Sequence, residues 1–88
     1  MIRLDGQRLV VNGPVTLATH VALRAACADL INESVTIDWT DVEAVDSSAL
    51  ALLLDWQRRT GRPLTHQHLP AGLTALAELY GVKQLLGL

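Results

Sequence analysis

The sequence has no phenylalanine, a single cysteine and only three aromatic residues, Trp39, Trp56 and Tyr80. With so few rings, a core must come from Leu, Val, Ile and Ala. The lone Cys27 excludes an internal disulfide and fits a reducing compartment, so a cytoplasmic location is expected. Long apolar runs are missing as well. The longest, Ala49 to Leu54, falls far short of the roughly 20 residues of a membrane span. Met1 to Val11 carries Arg3, Asp5 and Arg8 and lacks the apolar centre of a signal peptide. Nor is there a basic stripe: the formal charge is −2, unbiased to either end, which argues against nucleic acid as a partner.

What is present is the composition of a small globular protein. Half of the 88 residues are hydrophobic and 18% are charged, which leads us to expect one domain over 1–88 with a modest core. Ile2 to Asp5 and Arg8 to Asn12 alternate and flank Gly6-Gln7, the pattern of a β-hairpin. Gly13-Pro14 is expected to stop the second strand there. Thr16 is a helix cap, and the Ala- and Leu-rich segment to about Asn32 reads as that helix. Two apolar stripes run along it. Leu17, Val21, Ala25 and Ala28 form one, and Leu23, Cys27, Leu30 and Ile31 the other; periodicity does not say which faces inward.

Val35 to Trp39 is β-branched enough to be a strand, and Thr40 to Val45 reads as a polar connection. Asp46-Ser47-Ser48 then signals a helix start, with the helix running from about Ser48 to Thr60 and ending at Gly61 before Pro63. Leu64 to Leu69 is a further strand. Pro70-Ala71-Gly72 opens a last helix, about Leu73 to Tyr80, terminated by Gly81. Val82 to Leu86 fits either a short strand or a final helical turn. The order ββαβαβα plus a tail implies an α/β fold, one sheet with helices packed on it.

The Asp46-Ser47-Ser48 turn is the focus for function. A cap satisfies backbone N–H groups at a helix start, and by itself this explains the residue types. Two features go further. Ser47 and Ser48 lie at the positive end of a helix, where a phosphate is welcome, and the small Ala49 and Ala51 leave the turn open to close approach. Behind the turn, Leu50, Leu52, Leu53, Leu54 and Trp56 sweep an apolar arc of roughly 200°, wider than one packed face requires. Either neighbouring helices cover both flanks, or Leu52 with Trp56 is an exposed patch for a partner. Gln57 interrupts the arc without an evident reason.

Asp38-Trp39-Thr40-Asp41-Val42-Glu43-Ala44-Val45-Asp46-Ser47-Ser48-Ala49-Leu50-Ala51-Leu52-Leu53-Leu54 resembles the signature segment of STAS domains. That family includes the bacterial anti-sigma factor antagonists and MlaB, the STAS subunit of the Mla phospholipid ABC transporter, and the resemblance spans nearly the whole chain. It implies a STAS-like mixed β-sheet with helices mainly on one face, and a non-catalytic role. Chain length, the leucine-rich run Leu50 to Leu54 and the segment Leu73 to Val82 resemble the transporter subunit. Ser47 followed by Ser48 resembles the antagonists. The transporter resemblance implies an MlaF-like ATPase as partner, in a membrane complex with a permease that maintains outer-membrane lipid asymmetry. The partner-binding residues would then be Asp46, Ser47, Ser48, Ala49, Leu52 and Trp56. The antagonist resemblance implies a switch by phosphorylation, at Ser47.

Other constellations are weaker. His66 and His68 alternate on one side of the predicted strand, but no third metal ligand accompanies them, so two solvent-facing histidines are the simpler reading. His20 is a boundary residue of the first helix. Cys27 has no basic neighbour to activate it. Asp46, Ser47 and a distant His lack the Gly-x-Ser-x-Gly elbow of a hydrolase, and no Gly-rich phosphate loop is present. Arg58, Arg59 and Arg62 suit the end of a helix, and they are too few to anchor the chain on lipid. No catalytic residue, metal or cofactor is expected.

Overall fold

A computed structural model describes all residues, 1–88. Its elements are β1 (Ile2–Asp5), β2 (Arg8–Val15), α1 (His20–Cys27), β3 (Thr36–Val45), α2 (Ser47–Thr60), β4 (Thr65–Gln67) and α3 (Ala71–Leu79). They form one mixed sheet in the order β1-β2-β3-β4, antiparallel between β1 and β2 and parallel thereafter. The Gly6-Gln7 loop joins the hairpin, with Gly6 at φ 63, a conformation that a side chain would disfavour.

Strand alternation assigns the two faces of this sheet. Leu9, Val11, Ile37 and Trp39 are fully or almost fully buried and belong to one apolar cluster. That cluster also takes Leu23 and Cys27 from α1, Leu52, Leu53 and Trp56 from α2, and Leu73 and Ala77 from α3. All three helices therefore cover the same face. Val10 and Asp38, partners in register, are buried on the opposite side and stand outside the cluster. No helix is long and apolar enough to cross a membrane.

Three expectations are corrected. Gly13-Pro14 does not stop β2, which continues to Val15 with register shifts around Asn12 and Gly13. β1 has run out by then, so Pro14 lies where the strand has a free edge and its missing N–H costs no ladder bond there. The connection Thr40 to Val45 is the second half of a ten-residue β3, paired with β2 as far as Val15↔Val45. The first helix begins only at His20, after tight turns in which Thr19 N–H donates to Thr16 O (3.0 Å) and His20 N–H to Leu17 O (3.4 Å). Thr16 N–H donates to Thr19 Oγ1 (3.1 Å), and Leu17 N–H donates to Asp46 Oδ2 (2.9 Å). The helix also ends early, and Asn32 Oδ1 accepts from Ser34 N–H (2.8 Å) in the following turn.

The inward stripe of α1 is Leu23 and Cys27, with Leu30 and Ile31 packed against the core beyond it. Leu17 and Val21 face solvent at 76% and 78% exposure. After α3, Val82 to Leu88 forms helical turns, with Leu86 N–H donating to Val82 O (3.0 Å). Gln57, unexplained by the arc, donates to Leu85 O (3.0 Å) and ties these turns to α2.

Candidate functional site

The helix start at Ser47 is built by one carboxylate. Asp46 is extended (φ −134) and caps α2: its Oδ1 accepts from Ser48 N–H (2.9 Å) and from the Ser48 hydroxyl. Its Oδ2 accepts from Leu17 N–H, 29 positions earlier. Asp46 thus pins the entry to α1 against the entry to α2. The Ser48 hydroxyl, then the Leu17 amide, hold its carboxyl below the ordinary range, helped by the charge of His20. Ser48 is consumed by this cap and half-buried. Ser47 is exposed, and its hydroxyl makes no hydrogen bond within the protein.

Next to Ser47 lies an open groove of about 370 Å³. Ser47, Leu50, Ala51 and Leu54 line it from α2, and Tyr80 and Val82 from the end of α3. Tyr80 is 58% exposed there. Ser47, Ala51 and Leu54 recur at helical spacing, so they form the outward face of α2.

The expected patch of Leu52 and Trp56 is not on that face. Both are buried, at 0% and 1% exposure, as is Ala49 at 0%. Trp56 meets Trp39 of the sheet with ring centroids 6.5 Å apart and a 50° tilt. The same core cluster includes Leu86 of the turns after α3, which is 2% exposed. The wide apolar arc therefore reflects packing on the sheet, on α3 and on the terminal turns together. Of the expected contact residues, only Asp46, Ser47 and Ser48 remain at the surface, while Leu54, Tyr80 and Val82 were not foreseen. The last two arrive from some thirty positions away, a proximity that no local pattern encodes.

The remaining titratable groups are separated by the fold. His66 faces the core, where Trp39 Nε1–H donates to its Nδ1 (3.0 Å), and burial lowers its pKa to about 4. His68 has φ 57, a left-handed conformation that breaks the alternation, and its Nδ1 lies 3.2 Å from Asp38 Oδ1. The two rings thus serve different faces of the sheet. Asp38 is 5% exposed and its pKa is lowered to about 2, first by the Thr40 hydroxyl (2.7 Å) and Thr40 N–H (3.0 Å), then by His68. Burial pushes the Cys27 thiol up to about 11, far from the thiolate that chemistry would require. No group of three or more His, Cys, Asp or Glu is arranged to hold a metal ion.

A mixed four-stranded sheet with three helices on one face defines this chain as a small α/β domain of the STAS fold. The solved structure of the anti-sigma factor antagonist SpoIIAA in its unphosphorylated form is similar over its whole length. It matches with a TM-score of 0.63 at 11% identity, covering 100% of this chain and 98% of that one. The chain belongs to the Mlab STAS domain family, whose model matches residues 1–87. A comparison with curated protein sequences finds no match.

Proposed function

We propose that this chain is a non-catalytic STAS subunit that binds the MlaF-like ATPase of a phospholipid-transporting ABC complex. It would regulate or stabilise that ATPase from the cytoplasmic side of the inner membrane, where the complex also holds its permease. The observation that carries this reading is the free Ser47 hydroxyl at the rim of an apolar groove, in a chain matched by the Mlab family model. The groove accepts apolar side chains of the ATPase, with Leu54 and Tyr80 as walls, while Ser47 hydrogen-bonds at the edge. Asp46 and Ser48 hold the edge in place and do not themselves need to touch the partner.

Affinity capture from native cells tests this. The wild-type chain is expected to bring down the ATPase. Ser47→Glu and Tyr80→Ala each should reduce recovery at least about tenfold, since a rim charge or a lost wall weakens a small interface by more than about 1.4 kcal/mol. Both positions are exposed, so far-UV circular dichroism should be unchanged. Recovery of the ATPase at wild-type level by both variants would overturn the proposal.

One observation favours a second reading, an anti-sigma factor antagonist switched by phosphorylation. Ser47 is open to a kinase, and a phosphate there would bring about −1.5 to −2 charges beside the Asp46 carboxylate. Incubation with a cognate serine kinase and ATP, read by intact mass, separates the readings. A stoichiometric phosphate on Ser47, together with release of an anti-sigma factor and not of an ATPase, would favour the switch.

A further inference from the structure

A second surface lies on α1, apart from the groove beside Ser47. Val21 is 78% exposed and projects one turn beyond Leu17, itself 76% exposed. Val21, Arg24, Ala25, Ala28 and Arg59 line a shallow depression of about 300 Å³ between α1 and the end of α2. Its floor of alanines lets another chain approach closely. Its rim is charged in an unbalanced way. Arg24 Nε and Nη2 both reach Asp55 (3.4 Å each), and Arg59 Nε reaches the same carboxylate (3.3 Å). No other carboxylate pairs with either guanidinium, so two cations share one anion. Arg59 gives one more N–H to Ala28 O (3.0 Å), yet each guanidinium carries five donors.

We propose that this surface binds a segment of a partner protein that presents an apolar side chain next to a carboxylate. The apolar group would rest on Val21 and Ala25, and the carboxylate would complete the Arg24–Asp55–Arg59 cluster as a second anion. A planar guanidinium suits a carboxylate geometrically, and one surplus cation matches one acidic side chain. An anionic bilayer is the poorer occupant. Each arginine near such a surface contributes only about 1 kcal/mol, and Asp55 offsets one of the two. This surface lies between α1 and the end of α2, and the groove between the start of α2 and the end of α3, with no lining residue in common. The chain would therefore hold two partner segments at once.

The test is a chemical-shift titration of the isotopically labelled full chain with three probes. These are an amphipathic Leu/Glu model peptide, its Leu/Lys counterpart, and phosphatidylglycerol vesicles. With the Leu/Glu peptide, shifts are expected at Val21, Arg24, Ala25, Ala28 and the Arg59 side chain. They should weaken about tenfold in apparent affinity in Arg24→Glu and in Val21→Asp. Both residues are exposed; should Arg24→Glu lose its fold, Val21→Asp carries the test alone. An absence of shifts, an equal response to the Leu/Lys peptide, a response to vesicles alone, or shifts confined to residues 47–54 would each overturn the proposal. Loss of the α1 shifts leaves ATPase capture through Ser47 untouched, and shifts confined to residues 47–54 would assign the peptide to the groove instead, so the two surfaces fail independently.

Discussion

Two polar residues hold this small fold at points where apolar packing cannot. Asp46 uses both carboxylate oxygens on backbone N–H groups of different helix starts, one local and one distant. His66 does the comparable task for the edge strand β4, since its Nδ1 accepts the indole N–H of Trp39. That bond requires an unprotonated Nδ1, and burial agrees with it by lowering the pKa from 6.5 to about 4. The sign of the pH dependence follows. The unfolded chain takes up a proton on His66 near pH 6.5, whereas the folded chain resists until about 4. Within that window the unfolded state binds more protons, so stability is complete above it and falls as the pH drops through it. The loss should reach the order of 3 kcal/mol at the acid end. Urea midpoints measured from pH 7 to 4 should decline accordingly, and His66→Gln, which keeps an acceptor for Trp39 but cannot titrate, should flatten the decline. An unchanged slope in that variant would assign the effect elsewhere. Asp38 and Asp46, both held low, withdraw their contributions only at more acid pH, as it falls below the ordinary 3.8.

Among the elements, α2 decides both stability and recognition, on different faces. Trp56 is buried at 1% exposure against Trp39 of β3, so Trp56→Ala should leave a cavity costing about 3 to 5 kcal/mol. For a domain of this size that is most of the available stability, and the urea midpoint should collapse. Tyr80→Ala, at a position 58% exposed, should change the unfolding free energy by less than about 0.5 kcal/mol and leave the midpoint nearly in place. A Trp56→Ala variant as stable as the wild type would contradict the packing described. The same element shows what could be read in advance. Its limits were legible because caps are local: Asp46 bonds to Ser48, and Gly61 takes φ 77 while donating to Gln57 O (2.8 Å). The start of α1 was not, because the turn before it is anchored through Leu17 N–H by a residue 29 positions away. Nor was the second half of β3, whose polar residues lie on a strand bordered only by β2 once β4 has ended. The candidate site divides along the same line. Its capped turn is written in three adjacent residues, while its walls, Tyr80 and Val82, exist only once α3 has packed on α2.

For the molecule as a whole, one layer of three helices shares a single apolar cluster with one face of the sheet. The radius of gyration, 11.6 Å, is close to the roughly 12 Å of a compact chain of this length, so no element stands apart. Trp39 reports from the sheet and Trp56 from the helical layer, and their rings adjoin. A loss of sheet–helix contact anywhere along this seam changes the surroundings of both. Unfolding in urea should therefore be a single transition, with tryptophan fluorescence and far-UV circular dichroism coinciding at one midpoint. Of the helices, α1 and α3 each give only two buried residues to the core, Leu23 and Cys27 over eight positions and Leu73 and Ala77 over nine, against five from α2. The amides of α1 and α3 should exchange faster than those of α2, through local opening that leaves the tryptophan signal intact. A fluorescence midpoint clearly below that of circular dichroism would mean that the two layers separate before the elements melt. It would also imply that both proposed binding surfaces, which depend on helices held against one sheet face, are built on a scaffold looser than the packing indicates.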